Sequence, residues 1–226
     1  MTPTRCLALF MLGTLTLAVH AQEEPPLTPA GDTPRAPWLA AVDAGDATAA
    51  VAAVAEADPA ALEALGERLR AENPAVVWAA SRALEALWRS VPPAEQDDAA
   101  QALTRVAEAL GVFPCDAPGN PAARLRCGAK TAIVQQLGQW QAASAVPALR
   151  QQVAHATGGA EAAEALARID TDAAHNTLIE LVTGADLDPA TRAAWALSTV
   201  RRDAVVQALA AAAEEATGAL RTAIAE

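Results

Sequence analysis

Leucines twelve positions apart bracket a recurring alternation of apolar and polar residues. LGQWQAASAVPAL runs from Leu137 to Leu149, LARIDTDAAHNTL from Leu166 to Leu178, and LSTVRRDAVVQAL from Leu197 to Leu209. In each, the fourth place holds a large apolar residue: Trp140, Ile169 and Val200. A polar or small-residue turn follows, and then a second apolar helical pattern. Nearer the amino terminus, LAAVDAGDATAAV repeats the design with Leu39, Val42 and Val51. The three later copies are offset by 29 and 31 residues. A period near 30 with two helices per period predicts stacked helix pairs, because a single pair cannot bury its apolar stripe alone.

Start signals agree with this pattern. Asp58-Pro59, Asn73-Pro74, Asn120-Pro121 and Asp188-Pro189 each place a capping side chain before a proline. Proline suits the first helical position, where its missing N–H would be unpaired in any case. The four pairs predict four helix starts.

Composition leaves little room for strands. The chain of 226 residues has 63 alanines, no tyrosine and two phenylalanines, and 53% of it is apolar. Alanine is the best helix former, while strands favour β-branched and aromatic residues. The expected class is all-α.

The ends read differently from the middle. Arg5 followed by the apolar run CLALFMLGTLTLAV and the small residues around VHA has the three-part layout of a secretory signal over residues 1–21. An uncleaved anchor is the alternative, although the run is short for a bilayer span. Residues 22–37, QEEPPLTPAGDTPRAP, carry five prolines and few large apolar side chains. They are expected to form a disordered linker. Residues 38–226 are long enough for one helical repeat domain with a real core.

NPAVVWAASRALEAL (73–87) looks like the first helix of a HEAT-type repeat. AAEALARIDTDAAHNTLIELV (162–182) resembles the short, Ala-rich HEAT-like variety also found in phycobilisome lyases. The similarity covers residues 38–226, faintly at each repeat and more convincingly as a set. It implies a right-handed α-solenoid of helix pairs. Many HEAT repeats carry a basic residue in the first helix where this chain has Val77, so an interior ladder of Asp–Arg pairs is not carried over. Bilin lyase activity is not implied either, because the likeness lies in scaffold positions.

Charge excludes some partners. Sixteen basic residues stand against 27 acidic ones, a net charge of −11. With no basic run, a nucleic-acid surface is excluded as an expectation. No membrane insertion is expected after signal cleavage, and the protein is expected to be a monomer.

Cys115 and Cys127 flank DAPGNPAARLR, and Cys6 lies within the signal. An even cysteine count in an exported chain favours a disulfide, with free thiols or intermolecular pairing as alternatives. Their spacing fits neither a CxxC redox site nor common zinc motifs. His155 and His175 fall too far apart along neighbouring helices to share an ion. His175 is expected to be a partly buried histidine with a local hydrogen-bond partner, and His155 to sit near a helix C-terminus. No phosphate loop, GxSxG elbow or HExxH motif is present. No catalytic residue, metal site or cofactor is expected.

The tryptophans say more. Trp140 holds a repeated core place, and Trp88 lies near the stripe of Val77, Ala80, Leu84, Leu87 and Val91. At 100° per residue, Trp78 points about 135° away from that stripe, beside Arg82, Glu85 and Arg89. Trp195 lies nearly opposite Leu197 and Val200, where neighbouring copies have Glu164 and Gln135. Trp78, Arg82, Arg89 and Trp195 are therefore candidate partner-binding residues, with the arginines forming a local basic patch. Packing of Trp78 against a neighbouring repeat or under the linker is the competing reading. The expected function is a periplasmic or secreted scaffold that binds a protein or peptide. An enzyme, a lyase or hydrolase on the same scaffold, is the alternative, as is a purely structural envelope spacer.

Overall fold

The computed structural model describes residues 36–111, 115 and 119–215. The expected signal, 1–21, lies outside the described residues, as does the Pro-rich segment apart from its last two positions. Among the described residues every regular element is helical: α1 (Pro37–Asp43), α2 (Ala47–Val54), α3 (Ala61–Arg68), α4 (Pro74–Ser90), α5 (Gln96–Leu110), α6 (Pro121–Gln139), α7 (Val146–Val153), α8 (Gly159–Arg168), α9 (Asp172–Val182), α10 (Leu187–Leu197) and α11 (Asp203–Glu215). Short 3-10 turns at Pro93–Glu95 and Ala143–Ala145 lead into α5 and α7.

The thirteen-residue pattern has a constant structural meaning. Its seventh place opens the second element each time, at Ala143, Asp172 and Asp203. Its fifth place carries a left-handed backbone in two copies, Gln141 (φ 53°) and Asp170 (φ 22°). Around Gln141 the Ala142 N–H reaches back to the Leu137 carbonyl at 3.0 Å, which satisfies a carbonyl left open at the end of α6.

The amino-terminal copy needs a correction. There, Gly45 (φ 75°) makes the left-handed turn, and the Asp46 N–H bonds the Ala41 carbonyl at 3.0 Å. Ala41, not Leu39, therefore matches Leu137. The turn falls where glycine makes it easy, and leucine spacing alone misses that register by two residues.

Two of the four Asx-Pro starts hold as expected. Asn73 accepts from the Ala75 N–H (3.0 Å) and Asn120 from the Ala123 N–H (2.9 Å), with Pro74 and Pro121 as first helical residues. Asp58 also accepts, from the Ala60 N–H (2.7 Å), but a turn follows and α3 begins at Ala61. At α10 the cap is Asp186, which accepts from the Asp188 N–H, so Asp188 and Pro189 lie inside the first turn. Proline is tolerated there because all the first N–H groups of a helix lack partners.

The helices pack as two rows. α2, α4, α6, α8 and α10 lie side by side in chain order as one row. In the other row α3 packs on α5, and α9 on both α7 and α11. Each odd helix from α3 to α9 also packs on the even helix that follows it, which joins the rows. Between the rows sit fully buried leucines such as Leu62, Leu84, Leu103, Leu137 and Leu166. Alanine and glycine let the axes approach closely. A Cβ on Gly138 would meet the Ala165 Cα at 2.9 Å, and one on Gly66 would meet the Val106 side chain. The odd row has one irregular step, where α5 packs against the 3-10 turn Ala143–Ala145.

Candidate interaction surface

Large apolar side chains on an outer face carry a free-energy penalty for contact with water, so they mark a surface for attention. On α4 the stripe Val77, Ala80, Leu84, Leu87 and Val91 is buried, as is Trp88. On the opposite face Trp78 is 47% exposed. The Arg82 guanidinium stacks over its ring, 5.6 Å from the centroid. Such a contact holds the indole in one orientation and desolvates part of it.

The basic patch expected beside Trp78 is partly neutralised. Glu85 lies between the two arginines on the same stripe, 2.6 Å from Arg82 Nη1 and 3.6 Å from Arg89 Nη2. Helical neighbours three and four apart meet, so an intervening carboxylate offsets the charge of one of the two arginines. What remains is an aromatic stripe with one net positive charge.

α10 carries the matching feature three helices along the same row. Trp195 is 50% exposed, and Leu187, eight residues earlier on the same helix, is 49% exposed. Between α8 and α10 runs an open groove of about 800 Å³, with Glu164, Arg168, Thr191, Arg192 and Trp195 among its walls. The Glu164–Arg168 pair (3.5 Å) places opposite charges on one wall. Arg192 is held from below: its Nη1 donates to the Val153 (2.7 Å) and His155 (3.1 Å) carbonyls. Leu187 escaped the sequence reading because the helix start was set at Pro189. The signal that finds it is Asp186, an equally good cap two residues earlier.

Arg192 belongs to a wider arrangement. Arg126 Nη2 on α6 donates to the Ala71 carbonyl (3.3 Å), and Lys130 Nζ on α6 to the Gly111 carbonyl (2.5 Å). Cations on even helices thus reach carbonyls just beyond the ends of α3, α5 and α7, where the helix leaves acceptors open and the dipole is negative. These contacts join the rows without Asp–Arg pairs.

The remaining candidates fall elsewhere. Cys115 and Cys127 are paired at disulfide geometry, with Cα atoms 5.8 Å apart. His155 lies just past α7, as expected. His175 differs from expectation: it is 3% exposed, and its Nε2 has no hydrogen-bond partner. The Asp170 carboxylate lies 3.6 Å from that nitrogen but is engaged by Arg202 at 2.9 Å. Burial lowers the His175 pKa; Arg202 lowers it further, partly offset by Asp170 and Asp172.

Among the described residues no three His, Cys, Asp or Glu side chains are placed to hold a metal ion, and no helix is long and apolar enough to cross a membrane. No protein-family model matches the chain, and no curated protein is significantly similar to it.

Proposed function

We propose that this chain is an exported, non-catalytic scaffold built as a HEAT-like, right-handed α-solenoid, and that it binds a protein or peptide on the outer face of its even-numbered helices. One observation carries the reading: two tryptophans, each about half exposed, stand on the same row of helices, Trp195 at a place that neighbouring copies fill with Gln135 and Glu164. Tryptophan is the residue type most enriched at binding hot spots, and stacked helices offer an extended face to which each repeat adds area. The exposed Leu187 on the same helix as Trp195 and the open groove between α8 and α10 supply an apolar anchor and a place for an inserted side chain. The signal-like amino terminus and the paired cysteines support an oxidising compartment outside the cytoplasm, periplasmic or secreted.

The test is affinity capture from envelope extract with the chain from residue 22 onward, alongside Trp78→Ala and Trp195→Ala variants of unchanged melting temperature. A stoichiometric protein retained by the parent and lost by either variant is the expected result. Equal retention by both variants refutes the surface. Turnover of a small molecule by the pure protein refutes the non-catalytic reading.

A further inference from the structure

The irregular step in the odd row leaves a cleft that the proposed scaffold surface does not use. It holds about 340 Å³, enough for a small ligand. Its floor is α6, with Val134 and Leu137, and its walls are Ala107 on α5 and Leu149 on α7. Lys130 rises from the same floor helix and also lines the smaller neighbouring cavity beside Cys115 and Cys127. Lys130 is partly buried, its ammonium donates to the Gly111 carbonyl, and among the described residues no carboxylate forms an ion pair with it. Burial lowers its pKa, as desolvation of an unneutralised cation should.

Lys130 is a cation in a cleft, with the Gly111 carbonyl as its one hydrogen-bond partner among the described residues, in a protein whose net charge is −11. Other described cations on the helices, such as Arg68, Arg105 and Arg150, already pair with carboxylates. The disulfide ties Cys127, one turn before Lys130 on α6, to Cys115, four residues past Gly111. Glu108 and His155 stand on the cleft wall as the other titratable groups, and Glu108 makes the site unfavourable for multiply charged anions.

We propose that this cleft is a binding site for a small monocarboxylate with an apolar body. The carboxylate is received by Lys130, and the body rests on Val134, Leu137 and Leu149. The acid is either a free short-chain acid or the carboxyl end of an apolar peptide. The chemistry is shared: one carboxylate, one ammonium and an apolar floor.

Titration calorimetry on the disulfide-bonded protein tests it with three probes: hexanoate, the peptide Ala-Leu-Leu with a free carboxyl end, and the same peptide amidated. Saturable binding of hexanoate supports a free acid, and binding of the free peptide over its amide supports a chain terminus. In either case Lys130→Met should weaken binding at least about tenfold, the value of a charge-assisted hydrogen bond. Ala148→Trp, which puts a large ring into the cleft and leaves Lys130 in the chain, should abolish binding and so guards against misfolding of the first variant. The proposal is overturned if neither hexanoate nor the free peptide binds at millimolar concentration. It is equally overturned if the amide binds as well as the free peptide, or if both variants bind like the parent.

Discussion

Trp78 and Trp88 are ten residues apart on one helix, and the protein treats them in opposite ways. Trp88 is 5% exposed and packs in the core, so Trp88→Ala should cost about 3–5 kcal/mol in denaturant unfolding. Trp78 keeps about half of its surface in water, so Trp78→Ala should cost about 1 kcal/mol or less. If the two losses are equal, Trp78 is a packing residue and the interaction surface fails. His175 supports a pH prediction. Its folded-state pKa lies below its unfolded value of about 6.5, so the unfolded chain takes up the proton first. The stability it contributes is present above that value and is lost as the pH falls below it. His175→Val, the residue of the matching place Val146, should flatten the decline in unfolding free energy between about pH 7 and pH 5 relative to the parent. An identical decline in both proteins would show that carboxylates alone govern it.

Helix ends and helix contacts obey separate rules. Ends are set within a few residues: Asn73, Asn120, Thr171 and Asp186 each accept from an N–H of the following turn. Contacts depend on which small residue faces which neighbour. Gly138 lies against the Ala165 backbone, where α6 crosses α8. Gly138→Ala is favourable for helix propensity, yet it forces the two backbones apart. The expected net effect is a loss of about 1–3 kcal/mol, read from the shift in denaturation midpoint. A gain in stability would mean that α8 moves aside freely and that the α6–α8 contact does not set the row spacing. Asn73 and Asn120 were legible in the sequence because their side chains cap locally, whereas Asp186 was passed over for Asp188, which precedes a proline. The partner of Gly138 was not legible, since a glycine inside a helical pattern says only that something comes close.

At the scale of the whole molecule, packing between neighbours predicts local consequences. The disulfide closes a short loop, and the chain-entropy argument values it at about 3 kcal/mol. Replacing Cys115 and Cys127 with serine should raise amide exchange most in the end of α5 and the first half of α6, and least in α8 to α10, because each helix pair leans mainly on the next. A uniform rise through all helices would mean that the molecule opens as one unit and that a neighbour-by-neighbour description fails. By itself the sequence determined the helical class, the two-helix period, the cysteine pair and the outward direction of Trp78 and Trp195. Each of these rests on alanine propensity, on leucine spacing or on 100° steps along one helix, all of them local quantities. Only the tertiary structure decided the rest: that the Glu85 carboxylate reaches both Arg82 and Arg89, that Arg202 engages the Asp170 carboxylate nearest His175, that Leu187 is half exposed in the first turn of α10, and that α5 and α7 part around Lys130. Of these, the first and third depend on how side chains and helix ends settle. The others depend on distances between residues about 20 to 40 positions apart, which are fixed by the summed packing of whole helices and leave no trace in any single stretch of sequence.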